Sequence, residues 1–296
     1  GAERGIRDRS YYRNRSSRQL TGRRLPELTG FATVQDNAPV TVQNSGLEVL
    51  LSATLIDGEH LSWTTSANVT IPRTKLVRYD GLAQSPNNVR YMIGSPLDIR
   101  LLYRYTGIDP QTGRFTFDDG NNDELDFTDR YPVAYGPELY GGIDNVIRYR
   151  NFELSLLFQF VKQIRQDVIA FFPTPGVRNH NQPVEVMQRW QKPGDVVPIH
   201  RFTQSPGGVV EYVSGINVGD MTYRNASYIR LKSAALFYTI ASPVLQEKMN
   251  IKTLRVFVQG QNLVTFTRYR GFDPESLIPE FLPPLRVLTA GVEIKL

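Results

Sequence analysis

In the ten residues NFELSLLFQF (151–160), Phe152, Leu154, Leu156, Phe158 and Phe160 fall on one side of an extended chain. Glu153, Ser155, Leu157 and Gln159 fall on the other. The same period of two recurs in HLSWTTSANVTI (60–71), where Leu61, Trp63, Thr65, Ala67, Val69 and Ile71 oppose Ser62, Thr64, Ser66, Asn68 and Thr70. GLEVLLSATLI groups Leu47, Val49, Leu51, Ala53 and Leu55, and the closing AGVEIKL groups Val292, Ile294 and Leu296. In TLRVFVQGQNLVTFTRY, Leu254, Val256 and Val258 oppose Arg255, Phe257 and Gln259. YIRLKSAALFYTI slips phase once, from Ile229 and Leu231 to Ala234, Leu236, Tyr238 and Ile240, which predicts a β-bulge near Lys232 and Ser233. IDNVIRYR (143–150) reads as a strand joined to the opening stretch by a tight turn, and DIRLLYRY (98–105) as a further strand that either crosses with the others or folds above them.

With the arginine-rich start this makes roughly nine strands. Several reach the ~9–11 residues that a tilted strand needs to cross a bilayer, whereas soluble strands stop nearer ~5–6. Tyr and Trp gather near strand ends, and connections alternate between very short joins, at 57–60 and at Arg150–Asn151, and links of dozens of residues. That asymmetry is expected of outer-membrane barrels. A helix is expected over NQPVEVMQRWQKPGD (181–195), between Pro183 and Pro193–Gly194, and a second, at the short-turn end, over SPVLQEKM (242–249).

Composition changes the picture only in what it excludes. At 41% hydrophobic residues and a mean hydropathy of −0.31 the chain looks soluble, and no apolar run approaches the ~18 residues of a membrane helix. A barrel whose faces alternate has the same average. There is no cysteine, so disulfides and thiolate sites are impossible, and His60, His180 and His200 have no metal-ligand spacing. No cofactor is implied. The start GAERGIRDRSYYRNRSSRQL holds no apolar leader, as expected of a cytoplasmic chain or of one that is not the beginning of its gene product. Its arginines, from Arg4 to Arg24, are read as a strand with Arg7, Arg9, Arg13 and Arg15 on one wet face rather than as a nucleic-acid arm; no nucleic-acid partner is expected. No nucleophile elbow, phosphate loop or zinc-protease motif is present, so no enzyme is expected.

Several stretches, in order along nearly the whole chain, carry a family resemblance. They are LPELTGFATVQDNAPVTVQNSGLEVLLSATLI, YGPELYGGIDNVIRYRNFELSLLFQF, MQRWQKPGDVVP and NASYIRLKSAALFYTIASPVLQ with LRVFVQGQNLVTFTRYRGFDPES. The chain resembles the C-terminal part of SusC/RagA-family TonB-dependent outer-membrane transporters. The resemblance implies an all-β, antiparallel transmembrane β-barrel of 22 strands with an N-terminal plug, of which this chain supplies about nine strands. It implies import of glycans or peptides under a SusD-like lipoprotein lid, driven by TonB through the plug, with membrane lipid around the barrel. The plug and the first strands match nothing here, so a companion chain or another segment is expected to supply them. A family calcium-loop pattern is incomplete: Asp119, Asn121 and Asp123 keep the alternating oxygens, but Glu124 stands where the turn glycine is needed and Arg130 at the twelfth position. An acidic, solvated loop is expected there. In the longest loop, about 165–222, Arg178, His180, Trp190, His200 and Arg201 are the candidate contacts for substrate or lid; the competing reading is structural packing, for Trp190 the packing of its own loop against the barrel rim. A passive porin and a soluble β-rich carbohydrate-binding protein are the competing functions.

Overall fold

The computed structural model describes residues 6–18, 20–24, 28, 30, 33–121, 123–276 and 281–296. From the N-terminal side, β1 (Ile6–Ser17) is followed by a small hairpin, β2 (Leu20–Arg24) with β3 (Thr33–Asn37), and then by β4 (Val40–Asp57). A three-residue turn leads into β5 (Leu61–Tyr79). The next link holds four short strands, β6 (Ile99–Leu102), β7 (Tyr105–Ile108), β8 (Phe115–Phe117) and β9 (Tyr131–Ala134). Then β10 (Pro137–Tyr149) and β11 (Phe152–Gln166) form a hairpin through Arg150 and Asn151, with Arg150 in the left-handed region at φ 51°. A second long link contains α1 (Pro206–Val218) and ends in β12 (Tyr223–Asn225). The chain closes with β13 (Tyr228–Ile240), α2 (Pro243–Met249), β14 (Thr253–Thr267) and β15 (Val287–Lys295).

Eight of these strands form one antiparallel sheet in the order β1-β4-β5-β10-β11-β13-β14-β15, with β12 attached to β11 as the ninth member. Every long strand pairs with its nearest long neighbour in the chain, so β5, β11 and β14 run one way and β4, β10, β13 and β15 the other. Residues 98–105 do not join this sheet. They divide into β6 and β7, which pair with β9 and β8 inside the long link. The bulge expected at Lys232 and Ser233 is present, where the register with β14 shifts between Leu231 and Ser233. α2 begins at Pro243, as expected. The helix expected over 181–195 is only a 3-10 turn at Val184–Gln188: Arg189 is already extended and bridges Ile199, with Trp190 N donating to Ile199 O at 3.0 Å, so tertiary pairing ends the turn.

Register decides what each face carries, because directly paired residues point the same way. One row runs Trp63, Ile147, Leu154, Leu236, Val258 and Ala290; another runs Val49, Val69, Gly141, Phe160, Ile229 and Phe266. No second sheet covers this face among the described residues, and Phe152, Ile229, Leu236, Val258, Phe266 and Val292 are exposed on it. A soluble sandwich would bury them. On this face Trp63 Nε1 donates to Asn145 Oδ1 at 3.1 Å. The opposite face is wet and charged. Near the tight turns, Glu153 accepts from Arg148 at 2.8 Å and from Arg255 at 2.6 Å, and Arg255 lies 3.8 Å from the centre of the Phe237 ring.

The arginine expectation needs one correction. Arg7, Arg9, Arg13 and Arg15 do share a face and are exposed, but they pair with Leu51, Val49, Ser45 and Gln43. They stand on the outward, largely apolar side, because β1 joins β4 without a bulge and its face is set by that register. Arg4, Leu25–Glu27, Thr29, Phe31 and Ala32, which belong to the stretches read above, lie outside the described residues.

Candidate functional site: the loop cap

All long links leave from one end of the sheet. Residues 80–136 and 167–227 fold together there into a cap with its own core, formed by Ile99, Leu101, Leu102, Tyr103, Ile108, Val133, Tyr212 and Ile216, all buried. The two links are stitched by backbone: Tyr103 N donates to Val218 O at 2.8 Å and Asp220 N to Tyr103 O at 3.0 Å. Asp220 then accepts from Tyr105 N at 2.9 Å and from the Tyr131 hydroxyl at 2.5 Å. Burial and this carboxylate together push the Tyr131 phenol up to about 12.

α1 was not legible as a helix, since PGGVVEYVSGINV is rich in glycine and valine. Tertiary packing overrides propensity. Ser205 caps it by accepting from Gly208 N at 3.2 Å, Pro206 opens the first turn, and Tyr212 and Ile216 bury one face. Gly215 lets the Phe115 ring lie against the helix backbone, where a Cβ would clash.

The five candidate residues divide. His200 is 1% exposed and lies between the rings of Phe115, at 4.9 Å, and Tyr212, at 5.4 Å. Its Nδ1 is 2.9 Å from Arg201 O, and Glu211 Oε1 lies 3.7 Å from Nε2. Burial lowers its pKa, so it is a neutral packing residue near pH 7. Trp190 and Arg201 meet at the GIDPQTG turn. Trp190 Nε1 donates to Pro110 O at 2.8 Å, and Arg201 Nη1 to Thr112 O at 3.2 Å. A Cβ at Gly113, whose φ is +72°, would lie 2.6 Å from the Trp190 ring. Trp190 therefore packs one loop against the other. Arg178 and His180 are exposed and stand apart from this cluster; Arg178 donates to Gln204 at 2.9 Å. In the acidic loop, carboxylates of Asp119, Asp123 and Asp129 lie within 4.8 Å of one another, while Asp129 caps the turn after Asp126.

Sequence reading missed a second cluster, where the last long link folds over the polar face. Arg230, 1% exposed, is held by Asp273 at 2.6 and 2.8 Å, Glu275 at 2.7 Å and Thr265 at 2.9 Å. Gln163 donates to Pro274 O at 2.6 Å, and the Tyr269 hydroxyl to Gln166 O at 2.7 Å. The signal was present in YIRLK and GFDPES: an arginine on the inward side of a strand, and two acids after a proline turn.

A single sheet layer, apolar outward and polar inward, with tight turns at one end and folded loops at the other, is wall of an antiparallel transmembrane β-barrel. Among the described residues no helix is long and apolar enough to cross a membrane. The chain matches no protein-family model. It is 25% identical over 296 residues to TonB-dependent receptor P3 of Formosa agariphila, covering 90% of this chain, and 24% identical to TonB-dependent receptor P26 of the same organism. It superposes on the RagAB peptide transporter with a TM-score of 0.82 at 21% identity over 98% of its length. A closed-closed state of the RagAB peptide importer gives 0.81. The chain spans 28% and 29% of the two receptors and 33% of the RagAB chain. In sequence it is similar to a portion of these TonB-dependent receptors, and in fold to a portion of the RagAB transporter chain.

Proposed function

We propose that this chain is the loop-bearing wall of an outer-membrane importer that takes up glycans or peptides by TonB-driven opening of a plug. The long links face the cell exterior and the tight turns the periplasm. The observation that carries this reading is the sheet itself: its apolar side is uncovered, and β1 and β15 each have one neighbour among the described residues. Unpaired edges in hydrocarbon cost several kcal/mol per unsatisfied group, so the remaining barrel strands, and the plug with them, come from other parts of the transporter. The cap at the loop end is the surface on which a SusD-like lipoprotein lid would seat, with Arg178 and His180 the exposed candidates at its rim and Trp190, His200 and Arg201 shaping it from within.

The test is uptake of labelled peptide and glycan mixtures by cells carrying the full transporter. Uptake that stops with an uncoupler of the inner membrane, together with a lipoprotein that co-purifies, is the expected result. Steady ion conductance of the purified protein without TonB would establish a porin instead.

A further inference from the structure

The register of β1, β4 and β5 gathers four cations on the outward face near the loop end. Arg13 lies opposite Ser45, and Ser45 opposite Arg73; Arg15 lies opposite Gln43, and Gln43 opposite Lys75. With strands about 4.8 Å apart and a rise of about 3.4 Å per residue, their α-carbons mark a rectangle of about 10 by 7 Å. Gln43 lies midway along the Arg15–Lys75 edge. Its Oε1 accepts from Arg13 Nε and from Arg15 Nε, both at 2.9 Å, which holds two like charges side by side. All four cations are exposed, and among the described residues none has a carboxylate partner.

What lies beneath them is apolar. The next outward row toward the tight turns is Tyr11, Leu47 and Ile71, and the one after it is Arg9, Val49 and Val69. Elsewhere on the sheet, charges pair: Lys162 meets Glu138 at 2.6 Å, and Arg148 meets Glu153 at 2.8 Å. A solvated face of mixed sign would look like those sites. Four unpaired cations above an apolar strip instead match a ligand with an anionic head and acyl tails, since paired guanidinium groups suit phosphate oxygens.

We propose that Arg13, Arg15, Arg73 and Lys75 seat the phosphate groups of a membrane lipid whose acyl chains lie along Leu47, Val49, Ile71 and Val69. Four cations favour a lipid with two phosphates over one. Arg9, on the same edge strand, reaches upward to the same headgroup along its apolar stem. The inference rests on the sheet spanning a membrane and not on any cargo.

The experiment uses the full transporter in lipid nanodiscs, with a bis-phosphorylated acyl disaccharide, its dephosphorylated form and inorganic phosphate as probes. The compared proteins are the parent, the R13Q/R15Q/R73Q/K75Q variant and an R104Q/K192Q control with exposed cations removed from the cap. Native mass spectrometry is expected to show at least tenfold less retained lipid in the quadruple variant, an equal loss on dephosphorylating the lipid, and an unchanged control. Equal retention by variant and parent would overturn the proposal, as would equal retention of the dephosphorylated lipid. Inorganic phosphate binding as tightly as the lipid would reduce the patch to a free-anion site and overturn it too. A protein that imports nothing, yet loses lipid only in the quadruple variant, leaves this inference standing and defeats the functional one.

Discussion

The sheet and the cap solve opposite problems with the same backbone hydrogen bonds. On the outward face of the sheet, apolar side chains are left open by protein: Phe152, Leu236 and Val258 are 47%, 47% and 57% exposed, since hydrocarbon takes the place of a core. In the cap, Ile99, Leu102 and Tyr212 are 2%, 2% and 6% exposed, as in a soluble domain. Stability in the first region therefore depends on which face a residue occupies, and in the second on how well it packs.

Four experiments press on that difference. Arg230→Ala leaves Asp273 unpaired at a site where the side chains are 1% and 7% exposed. Loss of one partner of a buried pair costs about 3–5 kcal/mol, so the thermal unfolding of the whole transporter should fall accordingly; an unchanged transition would mean that the last link is not anchored there. Leu156→Arg, outward and mid-strand, should cost about 2–4 kcal/mol in lipid, whereas Ser155→Arg, inward, should be close to neutral. Urea titration in bilayers measures both, and equal costs would abolish the two-face assignment. For the cap, burial holds His200 below its unfolded pKa of about 6.5, so between those two values the unfolded cap binds more protons. Cap stability should thus decline as pH falls below about 6.5, by at most about 1.4 kcal/mol per unit, seen as faster proteolysis of the loops; His200→Phe should flatten the profile. Smallest is Ser205→Ala, which removes the α1 cap and should cost about 1 kcal/mol in loop protection from hydrogen exchange, with no change in the heat-modifiable gel mobility of the barrel.

The same difference explains what could be read beforehand. Alternation at period two survives in sequence because both faces of β5, β11 and β14 meet uniform surroundings, and the bulge at 231–233 shows as a slip in that alternation. The short helix α2 announces itself through Ser242 and Pro243. The cap offers no such period. Its core joins Tyr103 to Val218 and Phe115 to Tyr212, partners about a hundred residues apart, and its helix is made of residues that favour other conformations. Among the candidate residues, residue type pointed to an exposed contact for His200, and long-range packing buried it instead; for Trp190 a packing role was the competing reading, and it packs on the turn at Pro110–Gly113. The outward position of the β1 arginines was equally hidden, since one residue of register decides it.

The tight turns also set an order of events during insertion. β4 meets β5 across three intervening residues and β10 meets β11 across two, while β5 must wait for residues 80–136 before it finds β10. Closing a longer loop costs about 0.6 kcal/mol more for every doubling, so these hairpins zip first and then associate as preformed pairs. A nascent wall built this way carries each bulky long link across the bilayer between two finished hairpins, and the contacts made by Tyr103 and Asp220 can form only once both links have arrived on the same side.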